Sequence, residues 1–405
     1  AFTYRCILKA CGGMGATKKG HEIHAKIARQ RLLEDDIFIG AAMVDMYVKF
    51  GELAKAQEVF EELPVRNVIS WSALIGGFIQ HKQYHEAFHC FEQMQTECVS
   101  PNAITFTYIL KSCGLTRAIT KGKQLHDDII SQGLLKKDIV LGSALVEMYV
   151  NCGYLAKAQQ VHDGFDVKNV VSWNALILGY VQQGQEYEAF RCLEMMRNEC
   201  ISPDVVTFTS ILRACSNTGA MNKGKETHYE IVRRGLLMEK NGMLGTSLVD
   251  FYIKCGMLAK AQELHDGLCT KDIVSWNALI GGYAQQRKAH DALNCLEMMQ
   301  GEGISPDAVT LLCVLNACGR SGFLDNAEMC YWNMARAYDI RPGSEHHKCM
   351  IVMWSSGGLF DKAMPMIEMM PASEYPTLWL SLLSACKKWG NARLGRLAFH
   401  EVLYS

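Results

Sequence analysis

Apolar residues recur along this chain at helical spacing, in short runs separated by polar corners. From Ile69 to Gln80, Trp71, Leu74, Ile75 and Phe78 fall on one side of a 3.6-residue period. After the polar break His81-Lys82-Gln83, a second stripe follows with Ala87, Phe88, Phe91 and Met94. The pattern predicts two amphipathic helices joined by a tight turn. It closes at Val99-Ser100-Pro101, where proline and its restricted predecessor stop a helix. No strand-like alternation persists anywhere, and no polar low-complexity linker interrupts the series.

The same block returns. Ser70-Trp71-Ser72-Ala73-Leu74-Ile75 recurs as Ser172-Trp173-Asn174-Ala175-Leu176-Ile177 and as Ser275-Trp276-Asn277-Ala278-Leu279-Ile280, at spacings of 102 and 103 residues. Pro101, Pro203 and Pro306 follow each copy at the same interval. Each long period divides into units of about 36, 31 and 35 residues, here called long, short and ordinary. Gly51, Gly153 and Gly256 occupy one inter-helix corner of the short units, where a left-handed backbone favours glycine. Two helices of this size cannot bury their own apolar face, so neighbours must stack. The expectation is an all-α solenoid of about twelve helical hairpins, curving into a superhelix with one helix of each pair on its concave side.

Composition narrows what such an array can bind. With 49% hydrophobic and 20% charged residues the 405-residue chain reads as well folded. No apolar run of about eighteen residues suggests a membrane span. Net charge is −1, so a nucleic-acid partner has to be held through a local basic stripe together with base contacts. Seventeen cysteines include no Cys-x-x-Cys pair, and Cys11, Cys113, Cys215 and Cys318 share one repeat position. They are expected to be buried apolar thiols in a reducing compartment rather than metal ligands. No phosphate-cradling loop or catalytic triad is visible, so no enzyme activity and no cofactor are expected.

The runs Asn169 to Ile177 and Ala189 to Met196, with Leu110 to Gly114 and Lys121 to His126, resemble the pentatricopeptide repeat family. The alternation of unit lengths resembles its plant organellar subclass built from P, L and S repeats. The resemblance covers the whole chain. It implies a right-handed superhelical solenoid in the register L 1–36, S 37–67, P 68–102, L 103–138, S 139–169, P 170–204, L 205–241, S 242–272, P 273–307, L 308–343 and S 344–375. Residues 376–405, with Leu378 to Cys386, resemble the start of that family's E-type extension motif. A transit peptide and further C-terminal sequence are expected to lie outside this chain.

Membership would imply single-stranded RNA binding, one nucleotide per unit, read by the fifth residue of the first helix and the unit's last residue. On this chain the P units give Ser72 with Asn102, Asn174 with Asp204, and Asn277 with Asp307. The S units give Ala41 with Asn67, Ser143 with Asn169, and Thr246 with Asp272. The L units give Arg5 with Asp36, Thr107 with Asp138, Thr209 with Asn241, and Leu312 with Gly343. A carboxylate only accepts, which suits the ring N–H of guanine or uracil, whereas an amide both donates and accepts and suits adenine or cytosine. Small Ser or Thr leaves room for a purine; Asn favours a pyrimidine. The third to ninth units then read A-n-A-U-n-G-U, with n at L units.

The second residue of each unit is expected to stack on bases: Ile69, Val140, Val171, Met243 and Val274. Lys49 and Lys254 are candidates for phosphate. The closing short unit departs from the pattern with Lys348 and Tyr375, and Leu312 and Gly343 have no side-chain group for a base edge. His228-Tyr229-Glu230 matches half of a zinc-deaminase motif by letter, but the cysteine pair is missing. The resemblance thus implies the recognition region of a C-to-U editing factor in a mitochondrion, or next a chloroplast, with a deaminase supplied by further sequence or by a partner. The alternatives are an RNA stabilising, processing or splicing factor, and a protein-interaction scaffold.

Overall fold

A computed structural model of the chain describes residues 2–30, 32–135, 138–238, 242–371 and 375–404. It divides into two compact units, 1–207 and 208–405. Among the described residues both are built from α-helices, with no strand.

In the first unit, helical hairpins follow one another: Phe2–Met14 with Thr17–Arg29, Ile37–Phe50 with Leu53–Glu61, Val68–Gln80 with Tyr84–Thr96, Ala103–Thr116 with Ile119–Ser131, Ile139–Asn151 with Leu155–Asp163, and Val170–Gln182 with Glu186–Asn198. In the second, the helix Met221–Arg233 precedes the pairs Met243–Lys254 with Leu258–Asp266, Ile273–Gln285 with Ala289–Gly301, Ala308–Ser321 with Leu324–Ala337, Ser344–Ser356 with Phe360–Glu368, and Tyr375–Trp389 with Ala392–Tyr404. The helix Val205–Thr218 pairs with Met221–Arg233 in sequence and contains the boundary between the units. The fold is an all-α helical-hairpin solenoid.

Local chemistry sets the hairpins. Gly51, Gly153 and Gly256 have φ of +80°, +84° and +76°, the left-handed corner that a Cβ would strain. Several first helices are capped by the side chain of the residue that ends the preceding unit, while Met243–Lys254 and Ser344–Ser356 start at Gly242 and Gly343. Asn67 accepts from the backbone N–H of Ile69 and Ser70, and Asn169 and Asp272 make capping boxes with Ser172 and Ser275.

Packing between hairpins repeats as faithfully as the sequence. Trp71, Trp173 and Trp276 are fully buried, each met edge-on by a ring from the preceding second helix: Phe60 at 4.5 Å, His162 at 4.2 Å and His265 at 4.3 Å between centroids. A cation then closes each junction by pairing across to a carboxylate: Arg66 to Glu97 at 2.6 Å, Lys168 to Glu199 at 2.6 Å and Lys271 to Glu302 at 2.5 Å. Gly20, Gly122 and Gly224 let second helices approach Met46, Met148 and Phe251 closely.

The cysteines depart in part from expectation. Cys11, Cys113, Cys215 and Cys318 are buried, and burial pushes the Cys113 thiol up to about 12, so it is inert. Cys6, Cys98, Cys200 and Cys269, however, are exposed. Cys98 and Cys200 occupy a left-handed turn (φ 56° and 59°) directly after a second helix. Gly303 holds that place in the third period, with φ 77°.

Candidate nucleic-acid interface

Positions two, five and nine of a helix lie within one face of its surface. In the first unit this face lines a groove of about 420 Å³ formed by Phe2, Arg5, Lys9, Phe38, Ala41, Asp45, Ile69, Ser72 and Ile104, among others. Four successive first helices contribute to it, and no second helix does.

The second positions are apolar and open. Ile69, Val140, Val171, Met243 and Val274 are 46% to 65% exposed, so none is a core residue. The same register holds Phe2, Phe38, Ile104, Val206 and Val309, also exposed, which reasoning from the sequence had left out. A recurrent row of solvated apolar side chains is costly unless something flat covers it.

The paired polar positions converge most fully in the ordinary units. Asn174 Nδ2 donates to Asp204 Oδ1 at 2.9 Å, and the Thr207 hydroxyl donates to Asn174 Oδ1 at 2.5 Å. Asp204 Oδ1 also accepts from the Thr207 backbone N–H at 2.9 Å, and the Thr207 hydroxyl lies 3.0 Å from it. The third period repeats this: Asn277 Nδ2 donates to Asp307 Oδ1 at 3.2 Å, and Thr310 bridges the two. Burial opposes the Asp307 charge, but hydrogen bonds from Thr310 and Asn277 hold its carboxyl below the usual carboxylate range. In the first period Ser72 Oγ lies 2.8 Å from Thr105 Oγ1, and Asn102 Oδ1 accepts from the Thr105 N–H and hydroxyl.

Capping therefore decides what each last residue can offer. One side-chain oxygen is committed to the next helix. Asn67, Asn102 and Asn169 are left with only the amide N–H groups, and Asp204, Asp272 and Asp307 with one free carboxylate oxygen. This corrects the expectation that a terminal Asn can also accept: its oxygen is occupied. The third-position Thr105, Thr207 and Thr310 were missed as parts of the site, although Thr recurs there in the sequence.

Other pairs are placed differently. Ser143 Oγ lies 2.8 Å from the Ile139 carbonyl oxygen and 3.1 Å from Asn169 Oδ1, with one hydroxyl hydrogen to share between the two acceptors. Thr107 and Thr246 bond back to the carbonyls of Ala103 and Gly242, while Asp138 and Asp272 cap the following helices. Ala41 adds no polar group beside Asn67. Arg5 Nε lies 3.8 Å from Asp36 Oδ2. The Thr209 hydroxyl is buried without a partner among the described residues, and Asn241 lies outside them. Lys348 pairs with Glu345 at 2.7 Å. Lys49 and Lys254 pair within their helices with Asp45 at 2.7 Å and Asp250 at 2.8 Å. His228 bonds the Tyr252 hydroxyl at 2.8 Å, and no group of His, Cys, Asp and Glu suited to a metal occurs among the described residues.

The fold and this register define a helical-repeat protein whose first helices carry an open apolar residue at the second position in most units and a convergent polar pair in the ordinary ones. Family profiles described as "PPR repeat family" match residues 66–114, 168–217 and 271–320, and "PPR repeat" profiles match 42–68, 206–236 and 309–337. The chain belongs to the pentatricopeptide repeat family. A pentatricopeptide repeat-containing protein of Arabidopsis thaliana is 34% identical over 392 residues, covering 96% of this chain and 69% of that protein. Another, a putative mitochondrial member from the same plant, is 32% identical over 410 residues, covering 100% of this chain and 64% of itself. The chain thus spans about two thirds of these relatives. Among solved structures, PPR10 in complex with an 18-nt psaJ RNA element matches in fold with a TM-score of 0.64 at 17% identity, over 100% of this chain and 69% of that one.

Proposed function

We propose that this chain binds single-stranded RNA in a sequence-specific manner, one nucleotide per unit. The observation that carries the reading is the set Asn174, Thr207 and Asp204. Its internal bonds leave one amide N–H and one carboxylate oxygen side by side, next to the exposed apolar residue Val171. A uracil edge offers the complement, a ring N–H beside a carbonyl. Asn277 with Asp307 repeats the offer. Asn102 and Asn169, which only donate, suit the ring acceptor of adenine, and small Ser72 and Ser143 leave room for it. Thr246 with Asp272 suits guanine. Exposed second-position residues stack on the base faces. The tract read by the third to ninth units is A-n-A-U-n-G-U.

The finer reading is that the chain is the recognition part of a P-, L- and S-type organellar editing factor, with 376–405 opening its extension motif. It presents a cytidine downstream of the tract to a deaminase in further sequence or in a partner. The mitochondrion is preferred, since relatives such as the one above carry mitochondrial names.

Binding of labelled A-n-A-U-n-G-U RNA is compared with RNA in which the G and both U positions are C, at fixed near-physiological salt. A preference of about tenfold, on the order of 1.4 kcal/mol, is expected. Equal binding would refute base reading by these pairs. Loss of the protein in its plant should abolish C-to-U conversion at a site following the tract. Changed transcript abundance or splicing with editing intact would overturn the editing role.

A further inference from the structure

The net charge of the chain leaves open what holds a polyanion on this face, and the cations singled out by sequence are already paired. Lys49 and Lys254, at the thirteenth position of short-unit first helices, are bound to Asp45 and Asp250 at the ninth. These short units are self-neutral along the stripe. The stem of Lys49 also packs on Gly12 of the preceding long unit, which fixes it further.

The long units differ. Their ninth position carries Lys9, Lys111 and Arg213, all exposed, none of them in an ion pair among the described residues. Lys9 lines the groove together with Phe2 and Arg5. By helical register Lys111 and Arg213 share a face with the second-position residues Ile104 and Val206 of their own helices. The long units also have the weakest polar pairs: an Arg5–Asp36 ion pair, and Thr107 bonded to its own helix. The fourth long unit departs on both counts, with Asn316 at the ninth position and Leu312 at the fifth.

We propose that the long units hold the RNA backbone, with Lys9, Lys111 and Arg213 each contacting a phosphodiester oxygen, so that three of these units serve as clamps between base-reading pairs. The inference rests on the RNA-binding reading above. An unpaired cation can neutralise a phosphate, and release the counterions condensed on the RNA there, without first exchanging a carboxylate partner, whereas Lys49 and Lys254 would exchange Asp45 and Asp250.

The test is the salt dependence of binding for the triple variant Lys9→Gln/Lys111→Gln/Arg213→Gln, on A-n-A-U-n-G-U RNA and on the C-swapped RNA. Each single-strand phosphate contact contributes about 0.7 to the slope of log K against log salt, so the triple variant should lower it by about 2. Affinity should fall equally for both RNAs, leaving their ratio unchanged. The variant Lys18→Gln/Lys123→Gln/Lys225→Gln removes as much charge from exposed positions on second helices and should leave the slope near wild type. An unchanged slope in the first triple, with wild type still preferring its tract, would overturn the clamp and leave base reading intact. Equal slope loss in both triples would overturn it as well, because bulk charge alone would account for the effect. Failure of the wild type to bind either RNA would overturn the clamp and base reading together.

Discussion

The imidazole of His162 stands edge-on to the indole of Trp173, with centroids 4.2 Å apart, and neither of its nitrogens has a hydrogen-bond partner. The nearest carboxylate oxygen, on Asp163, is 3.8 Å away. Burial, with the Lys168 ammonium nearby, pushes this imidazole down to about 4, and His265 against Trp276 is pushed down for the same reasons. The unfolded imidazole, with its ordinary value near 6.5, takes up a proton that the folded one refuses. Stability is therefore fully present above about pH 6.5 and is lost as pH falls toward about 4, by about 3 kcal/mol for His162. The first period has Phe60 in this place. His162→Phe/His265→Phe should flatten the decline in melting temperature between pH 6.5 and 4; an unaltered decline would show that other groups set it.

Gly122 and Gly224 are repeat equivalents with unlike neighbours. A Cβ on Gly122 would meet Met148 Sδ at 2.6 Å, and one on Gly224 would meet Phe251 Cζ at 2.0 Å. Both partners are buried, but the unbranched thioether can change rotamer where the rigid ring cannot. Gly122→Ala should be close to neutral, helped by about 1 kcal/mol of helix propensity, while Gly224→Ala should cost about 1–3 kcal/mol from overpacking. Denaturant unfolding of the two variants ranks them directly; equal stabilities would contradict the packing.

Thr207 bridges Asn174 and Asp204 without itself offering a group to a base. Thr207→Val keeps its volume and removes the hydroxyl, so the Asn174 amide loses its fixed orientation. Preference for U over C at that unit should drop several-fold, about 1 kcal/mol for one hydrogen bond, while preferences at other units stay as they are. Competition binding with single-base variants of the tract measures this.

Thr246→Asn rebuilds the polar pair of the ordinary units beside Asp272. Preference in that unit should move from G to U by roughly tenfold. An equal change in affinity for both bases would defeat two-residue reading.

Glu147 occupies the ninth position of the second short unit, where Asp45 and Asp250 stand in the others, but Asn151 replaces the lysine that neutralises them. It is exposed, with no ion pair among the described residues, on the proposed reading face. Glu147→Gln should tighten RNA binding about two- to threefold at low salt, with the gain fading as salt rises. Weaker binding would place the carboxylate in a favourable contact instead.

The hairpins, the glycine corners and the buried tryptophans were legible in the sequence because each is fixed by local periodicity repeated three times. The proposed reading positions were legible only through family resemblance. What Asn102 offers was not, since it depends on which of its atoms the Thr105 N–H consumes, a matter of cap geometry. The same holds for Lys49: nothing in its own position reveals that Asp45 lies one turn back within 2.7 Å, although the four-residue spacing allows it. The exposed Phe2, Phe38 and Ile104 were passed over because a lone apolar residue in an apolar helix reads as core. Only their common register and solvent exposure distinguish them.

If base reading is as proposed, the residue that ends units such as those closed by Asn102 and Asp204 has a double duty that bears on how such a protein changes its target over generations. Asn and Asp cap a helix about equally well, so an exchange between them at Asn102 or Asp204 alters the offered atom while the next hairpin keeps its start. Replacement by an aliphatic residue would silence the letter and at the same time loosen the hairpin after it, by about 1 kcal/mol. New specificities are thus reached most easily through a narrow two-letter channel at this position, with fifth-position changes free to supply the remaining variety.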